Sequence, residues 1–401
     1  MTGDRGSPTR TLTGAEAIVE GLVKHGIDTV FALPGAQIYG LCDALAKSRD
    51  RILTIGARHE QACGYMAFGY ARASGKPGVF AVVPGPGILN ASAALLTAHS
   101  SNQRVLALTG DIPSQAKGRE RGQLHELRDQ LNILRSLTKW ADQIEHPSQA
   151  ALLVARAFQE MSSGRRGATA LQAAWDYFTT PAAVGPAMTL PPFPPPEVDL
   201  DAIDAAAKLV AGARAPMIIV GSGALDASAE VTALAEMIGA PAVSFRGGRG
   251  VVSNDHPLGL TIASAQLLWP QTDVAIVIGS RFELLDARWR YRPPGLKIIR
   301  IDVDPAERRR LSADISIVAD AAVGSRALAG ALSRHGVPKR RDEAIATAKA
   351  EAGRPGAGRH NRRPEAGQEA SCQEAGPTGP GEPREGCRNL ASTFRQEASQ
   401  G

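Results

Sequence analysis

The sequence predicts an α/β fold: two doubly wound domains, each a parallel sheet covered by helices, the second Rossmann-like. Three observations carry this. Strand-forming and helix-forming segments alternate from Thr13 to about residue 180 and again from Leu200 to about residue 336. The strand segments read as near-continuous apolar runs, such as "GVFAVVPG" and "DVAIVIGSRF", as expected of strands buried on both faces. Between the blocks, "PAAVGPAMTLPPFPPPEVD" (181–199) is too rich in proline for a helix or a central strand, so it reads as an extended linker.

The elements follow in order. Residues 1–12 are polar and are expected to form a disordered lead-in. "GAEAIVEGLVKHG" has apolar residues at helical spacing and closes on Gly26, a good helix stop. "DTVFALPG" is a short strand entering a turn, "YGLCDALAKS" a helix and "RILTIGA" a strand. Residues 60–74 form the third helix, followed by the strand "GVFAVVPG", the helix "ASAALLTAHSS" and the strand "RVLALTGD". The first block closes near "ATALQAAWDYF" (168–178). The second opens with the helix "LDAIDAAAKLVAGA" and the strand "APMIIVGSGA". It continues through "EVTALAEMIG", "APAVSF", "DVAIVIGSRF" and "LKIIRIDVDP", and fades after "AAVGSRALAGALSRHG". From Thr347 to Gly401 the only large aliphatic or aromatic side chains are Leu390 and Phe394. Such a segment buries too little apolar area to offset its ordering entropy, so 337–401 is expected to be a disordered tail.

Bulk properties narrow the function classes. The chain has 401 residues, 43% hydrophobic and 21% charged, which fits two soluble domains with sizeable cores. Aromatics are scarce at 4%, leaving Val, Ile, Leu and Ala to build those cores. The net charge is +5, yet no basic run carries interleaved aromatics, so nucleic acid is not an expected partner. There is no signal peptide and no run of about 18 apolar residues, so no membrane span is expected. Cys42, Cys63, Cys372 and Cys387 show no metal-ligand spacing and no disulfide density, and a cytoplasmic protein follows.

Glu60 stands after an apolar strand, at the head of a helix rich in Gly and Ala. A first-turn acid is commonly just a favourable partner for the helix dipole, worth about 0.3–1 kcal/mol. The helix behind it, "QACGYMAFGYARASG", argues for more. Small residues at Ala62, Gly64, Ala67, Gly69, Ala71 and Ala73 permit close approach of neighbouring elements, although each helical Gly costs about 1 kcal/mol against Ala.

Together with "GAEAIVEGLVKHGIDTVFALPGAQI" (14–38), "PGPGILNA" (84–91) and "LALTGDIP" (106–113), "RHEQACGYMAFGYARASGKPGV" (58–79) closely resembles the pyrimidine-binding domain of thiamine-diphosphate-dependent enzymes. The likeness is to the acetolactate synthase and 2-oxo acid decarboxylase family. "GRGVVSNDHPLGL" (248–260), "DVAIVIGSRF" (273–282) and "IIRIDVDPAE" (298–307) are similar to that family's central domain. The resemblance implies that Glu60 hydrogen-bonds N1′ of the cofactor's aminopyrimidine and thereby promotes formation of the C2 ylide that attacks a 2-oxo acid. That role asks for a carboxyl group protonated during part of the cycle, and surroundings that exclude water favour the neutral acid. It also implies that Gly85, Pro86 and Gly87 lie against the aminopyrimidine, with Asn90 beside them. Taken alone, the triplet reads as a tight turn after a strand. Pro34, Gly35 and Ala36 stand where the family brings backbone close to the reacting centre, and Gln37 is either a substrate contact or a solvated turn residue. His125 and Glu126 occupy a region where decarboxylases carry a His pair and acetolactate synthases a Phe-Gln pair, so the substrate does not carry over. Lys139 follows at the acetolactate synthase spacing, or is an exposed lysine at a strand start.

Departures from the family matter as much. "VGSGALD" (220–226) lacks the third Gly of a dinucleotide fingerprint. Phe282, Glu283, Leu284, Leu285 and Asp286 replace the Phe-Asp-Asp-Arg of flavin-holding members, which argues against FAD. No Gly-Asp-Gly with a following Asn marks a magnesium–diphosphate domain, so no metal ligands are expected in this chain. The expectation is thiamine diphosphate as cofactor, with Mg2+ supplied by a domain not seen here, and a truncated or frameshifted tail. The expected partners are a 2-oxo acid substrate and either further copies of the chain or a full-length homologue. Two other functions stay open: a non-catalytic subunit that modulates such a homologue, and a nucleotide-binding module acting through the central domain.

Overall fold

The computed structural model describes residues 9–282, 289, 291–310, 312–337 and 341–353. The chain opens with β1 (Arg10–Thr13), whose last residue caps α1 (Gly14–Lys24). Thr13 and Glu16 form a reciprocal capping box, each side chain accepting from the other's backbone N–H. Then come β2 (Thr29–Ala32), α2 (Tyr39–Lys47), β3 (Leu53–Gly56), α3 (Glu60–Ser74), β4 (Gly78–Val82), α4 (Pro86–Ser100) and β5 (Val105–Asp111). The first domain closes with α5 (Gln130–Leu137), β6 (Trp140–Ile144), α6 (Ala150–Ser162), β7 (Thr169–Ala174) and β8 (Pro181–Val184).

Its six-stranded sheet is parallel throughout, in the order β3-β2-β4-β5-β7-β6. β4, β5 and β7 are buried along their whole length. One face carries α1, α2 and α6 through Ile18, Leu22, Leu41, Leu45, Val154 and Phe158. The other carries α3, α4 and α5 through Cys63, Ala67, Ile88, Leu95 and Leu134. The chain leaves β2 towards β3, then crosses back to β4 on the other side. The ends of β2 and β4 therefore flank a crevice where the loops diverge, the place where doubly wound sheets bind ligands.

The second domain comprises α7 (Leu200–Ala211), β9 (Pro216–Val220), α8 (Ser228–Ile238), β10 (Ala242–Ser244), β11 (Gly259–Leu260), α9 (Ile262–Leu268), β12 (Val274–Ile278), β13 (Lys297–Asp302), β14 (Ile315–Val318), α10 (Ala321–His335) and α11 (Asp342–Ala352). Its parallel order, β11-β10-β9-β12-β13-β14, is the Rossmann arrangement, with its own switch point between β9 and β12. The two expected doubly wound domains are therefore present.

Local differences from the sequence expectations have physical causes. Arg10–Leu12, expected in an unpacked lead-in, pairs antiparallel with β8, so the start of the Pro-rich segment is an edge strand with Pro181 at its first position. The rest of that segment lies along α6: Gln159 donates to the Pro191 carbonyl at 2.7 Å, and the Arg156 guanidinium sits 4.8 Å from the centre of the Phe193 ring. Asp342–Ala352, expected in the tail, is helical because Ile345 and Ala348 bury in the second core. The remainder of the expected tail, from 354, lies outside the described residues, as do Glu283, Leu284, Leu285 and Asp286.

A charged cluster joins the domains. Arg165, between α6 and β7, reaches Glu307 at 2.9 Å and Asp304 at 3.7 Å. Asn102 donates to Ser222 at 3.2 Å and accepts from Arg165 at 2.7 Å. Arg300, in the middle of β13 and only 1% exposed, faces Asp302 at 3.3 Å and Glu307 at 3.5 Å. Among the described residues, no helix is long and apolar enough to cross a membrane.

Candidate functional site

The crevice between β2 and β4 is built by two loops that touch. A Cβ added to Gly35 would stand 2.3 Å from Val83 Cγ1, and one added to Gly87 2.6 Å from Val83 Cγ2, so both positions need glycine for close approach. Gly85 adopts φ +61° and ψ −117°, a conformation open almost only to glycine, and its missing Cβ leaves room for the His125 carbonyl. Pro86 and Gly87 are not a free turn: they form the first turn of α4, where the fixed φ of proline suits the N1 position.

Glu60 enters this crevice from the head of α3, which His59 caps by accepting the Gln61 N–H at 3.2 Å. The Glu60 Cγ would be 3.6 Å from a Gly87 Cβ. Asn90, on the first turn of α4, donates to Glu60 Oε2 at 3.0 Å. Glu60 Oε1 has no hydrogen-bond partner among the described residues. One carboxylate oxygen is thus fixed while the other stays open. Burial, with the Glu60 charge close by, pushes the Cys63 thiol up to about 11, so Cys63 is an inert neighbour rather than a nucleophile.

Gln37 is 4% exposed. Its Nε2 donates to the Leu124 carbonyl at 2.6 Å, which turns Oε1 towards His125 Nδ1 at 3.0 Å. An amide oxygen only accepts, so His125 carries its proton on Nδ1 and its Nε2 is left as an acceptor when the ring is neutral. His125 holds φ +62°, unusual for a non-glycine residue, with its carbonyl over Gly85. Glu126 caps its own turn by accepting the Gln123 N–H at 2.7 Å. Pro34 is exposed and Ala36 half-buried on the β2 side of the crevice.

The structure therefore brings together Gly35, Glu60, Gly85, Gly87 and Asn90, with Gln37 on the loop of Gly35 meeting His125 from the loop after β5. Lys139 is apart from them. It precedes β6 at the edge of the sheet where strands begin, and its half-buried amine donates to the Glu160 and Ser163 carbonyls at the end of α6. Desolvation lowers its pKa. It is a cap for those carbonyls rather than an exposed lysine.

A set of polar residues behind the crevice carries no sequence signal. Gln130, 3% exposed, accepts the Gly85 N–H at 2.9 Å and donates to the Gly110 carbonyl at 2.9 Å and to Gln172 Oε1 at 3.1 Å. Gln172 in turn donates to Gln143 at 2.8 Å and to Asp111 at 3.2 Å. Only the burial of a glutamine opening a helix after Asp129 would have drawn attention to Gln130, and sequence does not reveal burial.

The residues fit an aminopyrimidine ring. The edge of such a ring needs a carboxyl oxygen with no other partner, and Glu60 Oε1 offers one, beside a turn that His125 and Val83 pack against at Gly85 and Gly87. Residues 12–133 match the N-terminal TPP binding domain of thiamine pyrophosphate enzymes, and residues 203–328 match the central domain. A probable 2-ketoarginine decarboxylase of Pseudomonas aeruginosa is 35% identical over 305 residues, 74% of this chain and 54% of the relative. A probable acetolactate synthase large subunit of Methanocaldococcus jannaschii is 35% identical over 330 residues, covering 77% and 54%. An acetolactate synthase of Mycobacterium bovis is 30% identical over 341 residues, covering 82% and 54%. The chain spans about half the length of these curated relatives.

Proposed function

Because the chain belongs to the thiamine pyrophosphate enzyme family, whose cofactor is thiamine diphosphate, we propose that it takes part in decarboxylation or carboligation of a 2-oxo acid, with Glu60 as the catalytic carboxyl group. The observation that carries this reading is the Glu60–Asn90 pair at 3.0 Å beside Gly87.

When bound, the cofactor supplies a carbon nucleophile for the keto group and a sink for the electrons left by departing carbon dioxide. The residues of the chain have separate tasks. Asn90 holds Glu60 Oε2 and so fixes the carboxyl rotamer. Oε1 then presents or receives a proton at the ring nitrogen facing it. Gly85 and Gly87 let His125 and Val83 close on the turn beside Glu60, and the turn at Pro34, Gly35 and Ala36 walls the crevice on the β2 side. His125 Nε2 accepts a proton or a hydrogen bond from the substrate side. Glu126 and Gln37 act through the loop that holds His125. The diphosphate and its Mg2+ are held by residues other than those described here, supplied by further sequence, a second copy or a full-length homologue. α3 and α4 expose Tyr65, Leu89 and Leu96, apolar surface suited to such a partner.

Calorimetric titration with thiamine diphosphate and Mg2+ tests this. Binding by the chain, alone or with a full-length homologue, should weaken about tenfold in Glu60→Gln, the loss expected for a hydrogen bond to a charged group. Equal affinity in the variant would remove Glu60 from the site. Co-purification with the homologue and no turnover of its own would favour a modulating subunit.

A second reading rests on the central domain. The switch point between β9 and β12 opens into a cleft of about 930 Å³ shared by the two domains, lined by Gly221, Gly279 and Asp302 on one side and by Ser101, Arg104 and Arg165 on the other. A Cβ at Gly221 would stand 2.3 Å from the Gly279 carbonyl, so the two loops converge there on bare backbone. The cleft suits a nucleotide, and titration with adenosine diphosphate and with FAD distinguishes a nucleotide from a flavin.

A further inference from the structure

We propose that Gln130 is a positioning residue for the cofactor-facing turn at Gly85, Pro86 and Gly87, and that the Asp111 carboxylate reinforces it through Gln172. The proposal deepens the thiamine diphosphate reading and rests on it for its functional meaning. Its geometric content stands alone.

The orientation of every amide in this chain is set by its partners. The Gly85 N–H only donates and the Gly110 carbonyl only accepts, so Gln130 must point Oε1 at Gly85 and Nε2 at Gly110. That Nε2 also donates to Gln172 Oε1, which leaves Gln172 Nε2 to face Gln143 Oε1 and Asp111 Oδ2. Lys117 closes the series, donating to Asp111 at 2.6 Å and also to Gln143. Donation therefore runs one way, from the Gly85 amide through Gln130 and Gln172 to a carboxylate that is 8% exposed. Hydrogen bonds aligned in this sense polarise one another, and the charge at the end strengthens the acceptor that Gly85 meets.

Gly85 needs such support. Its φ of +61° lies outside the conformations most residues adopt, and the residue after it is Pro86, which has no N–H. The Gly85 amide is thus the backbone donor at the mouth of α4 that a buried side chain can grip, and Gln130 grips it from 45 residues away. Gln130 also spans the ends of β4, β5 and β7. The loop carrying His125 leaves β5 and returns at Gln130, so one side chain sets the Gly85 turn and anchors the end of that loop.

Hydrogen exchange on the full chain, without cofactor, tests the proposal. In Gln130→Met, exchange at the Gly85 amide should rise about tenfold while the amides of β4 stay as in the parent. Gln130→Glu keeps an oxygen opposite Gly85 but sets its second oxygen against the Gly110 carbonyl, so it should restore only part of the protection. Asp111→Asn should give a smaller rise of about threefold, through the weakened chain. Unchanged exchange at Gly85 in folded Gln130→Met overturns the proposal. An equal rise across β4, β5 and Gly85 also overturns it, because it would mark a general loss of packing. If Gln130→Met does not fold, Gln172→Met carries the test: a rise confined to Gly85 supports the chain, and no rise overturns it. A Gly85-specific rise in a protein that binds no thiamine diphosphate, either alone or with a full-length homologue, would uphold Gln130 and sink the reading of Glu60 as the cofactor's partner, so the two fail separately.

Discussion

Replacing Glu307 by Ala probes the joint between the domains. The Glu307 side chain is 3% exposed and faces Arg165 at 2.9 Å, Arg310 at 3.4 Å, Arg300 at 3.5 Å and Arg281 at 3.8 Å. Arg300 also donates to the Glu307 backbone carbonyl, and its Nε has no partner. A buried ion pair as such is weak grounds for stability, but deleting one member strands the other. Without Glu307, the buried Arg300 guanidinium keeps, among the described residues, only Asp302 as a counter-ion, and burial already raises the Asp302 pKa. The expected cost is about 3–5 kcal/mol. At roughly 2–4 °C per kcal/mol for a domain of this size, the midpoint should fall on the order of 6–20 °C. Scanning calorimetry reads the shift, and denaturant unfolding followed at the Trp residues gives the free energy. Arg165→Ala should cost less, about 1–2 kcal/mol, because Glu307 keeps its other cations. Glu307→Gln keeps the shape and loses the charge, so it should fall close to Glu307→Ala. A Glu307→Gln protein that melts with the parent would refute the argument that charge pairing, rather than shape, holds this joint.

Other substitutions separate structure from chemistry. Gly85→Ala forces an alanine into φ +61° and its Cβ to within 2.6 Å of the His125 carbonyl. A loss of about 1–3 kcal/mol in denaturant unfolding is expected, with weaker cofactor binding. Lys139→Met should lower stability by about 1–2 kcal/mol while leaving thiamine diphosphate affinity at the parent value, since it frees two helix-end carbonyls far from Glu60. His25 stacks on Phe158, its Nε2 is buried without a partner, and burial lowers its pKa from 6.5. Between the lowered folded value and 6.5 the unfolded chain binds the proton and the folded chain does not. Stability therefore falls as pH drops through that window. Unfolding midpoints measured from pH 7 to pH 5 should drop more steeply in the parent than in His25→Gln.

What the sequence made legible was local. The limits of α3 could be read from Glu60 and Gly75 because its cap and its stop lie in adjacent residues. The apolar runs of β4, β9 and β12 announced strands buried on both faces. The closeness of Glu60, Asn90 and Gly87 came only from the family resemblance, since nothing local joins residues on two helices. Gln130 and Arg300 were invisible for a related reason. A polar residue in a buried position looks like any other until its distant partners are known. Lys139 sat at a suggestive spacing, but spacing does not say at which edge of the sheet a residue falls. The strand at Arg10–Thr13 was missed because its pairing partner lies beyond residue 180.

The small residues of α3 have one more consequence. Gly64 stands one helical turn behind Glu60, and Ala94 one turn behind Asn90. A Cβ on Gly64 would come within 2.7 Å of the Ala94 Cβ. The two helices thus approach closely just behind the 3.0 Å hydrogen bond between Glu60 and Asn90. They behave as the jaws of a caliper whose setting screw lies at 64 and 94, so the spacing of Glu60 and Asn90 is gauged a turn away from them. Variation at those two positions would retune the site without altering any residue that faces it.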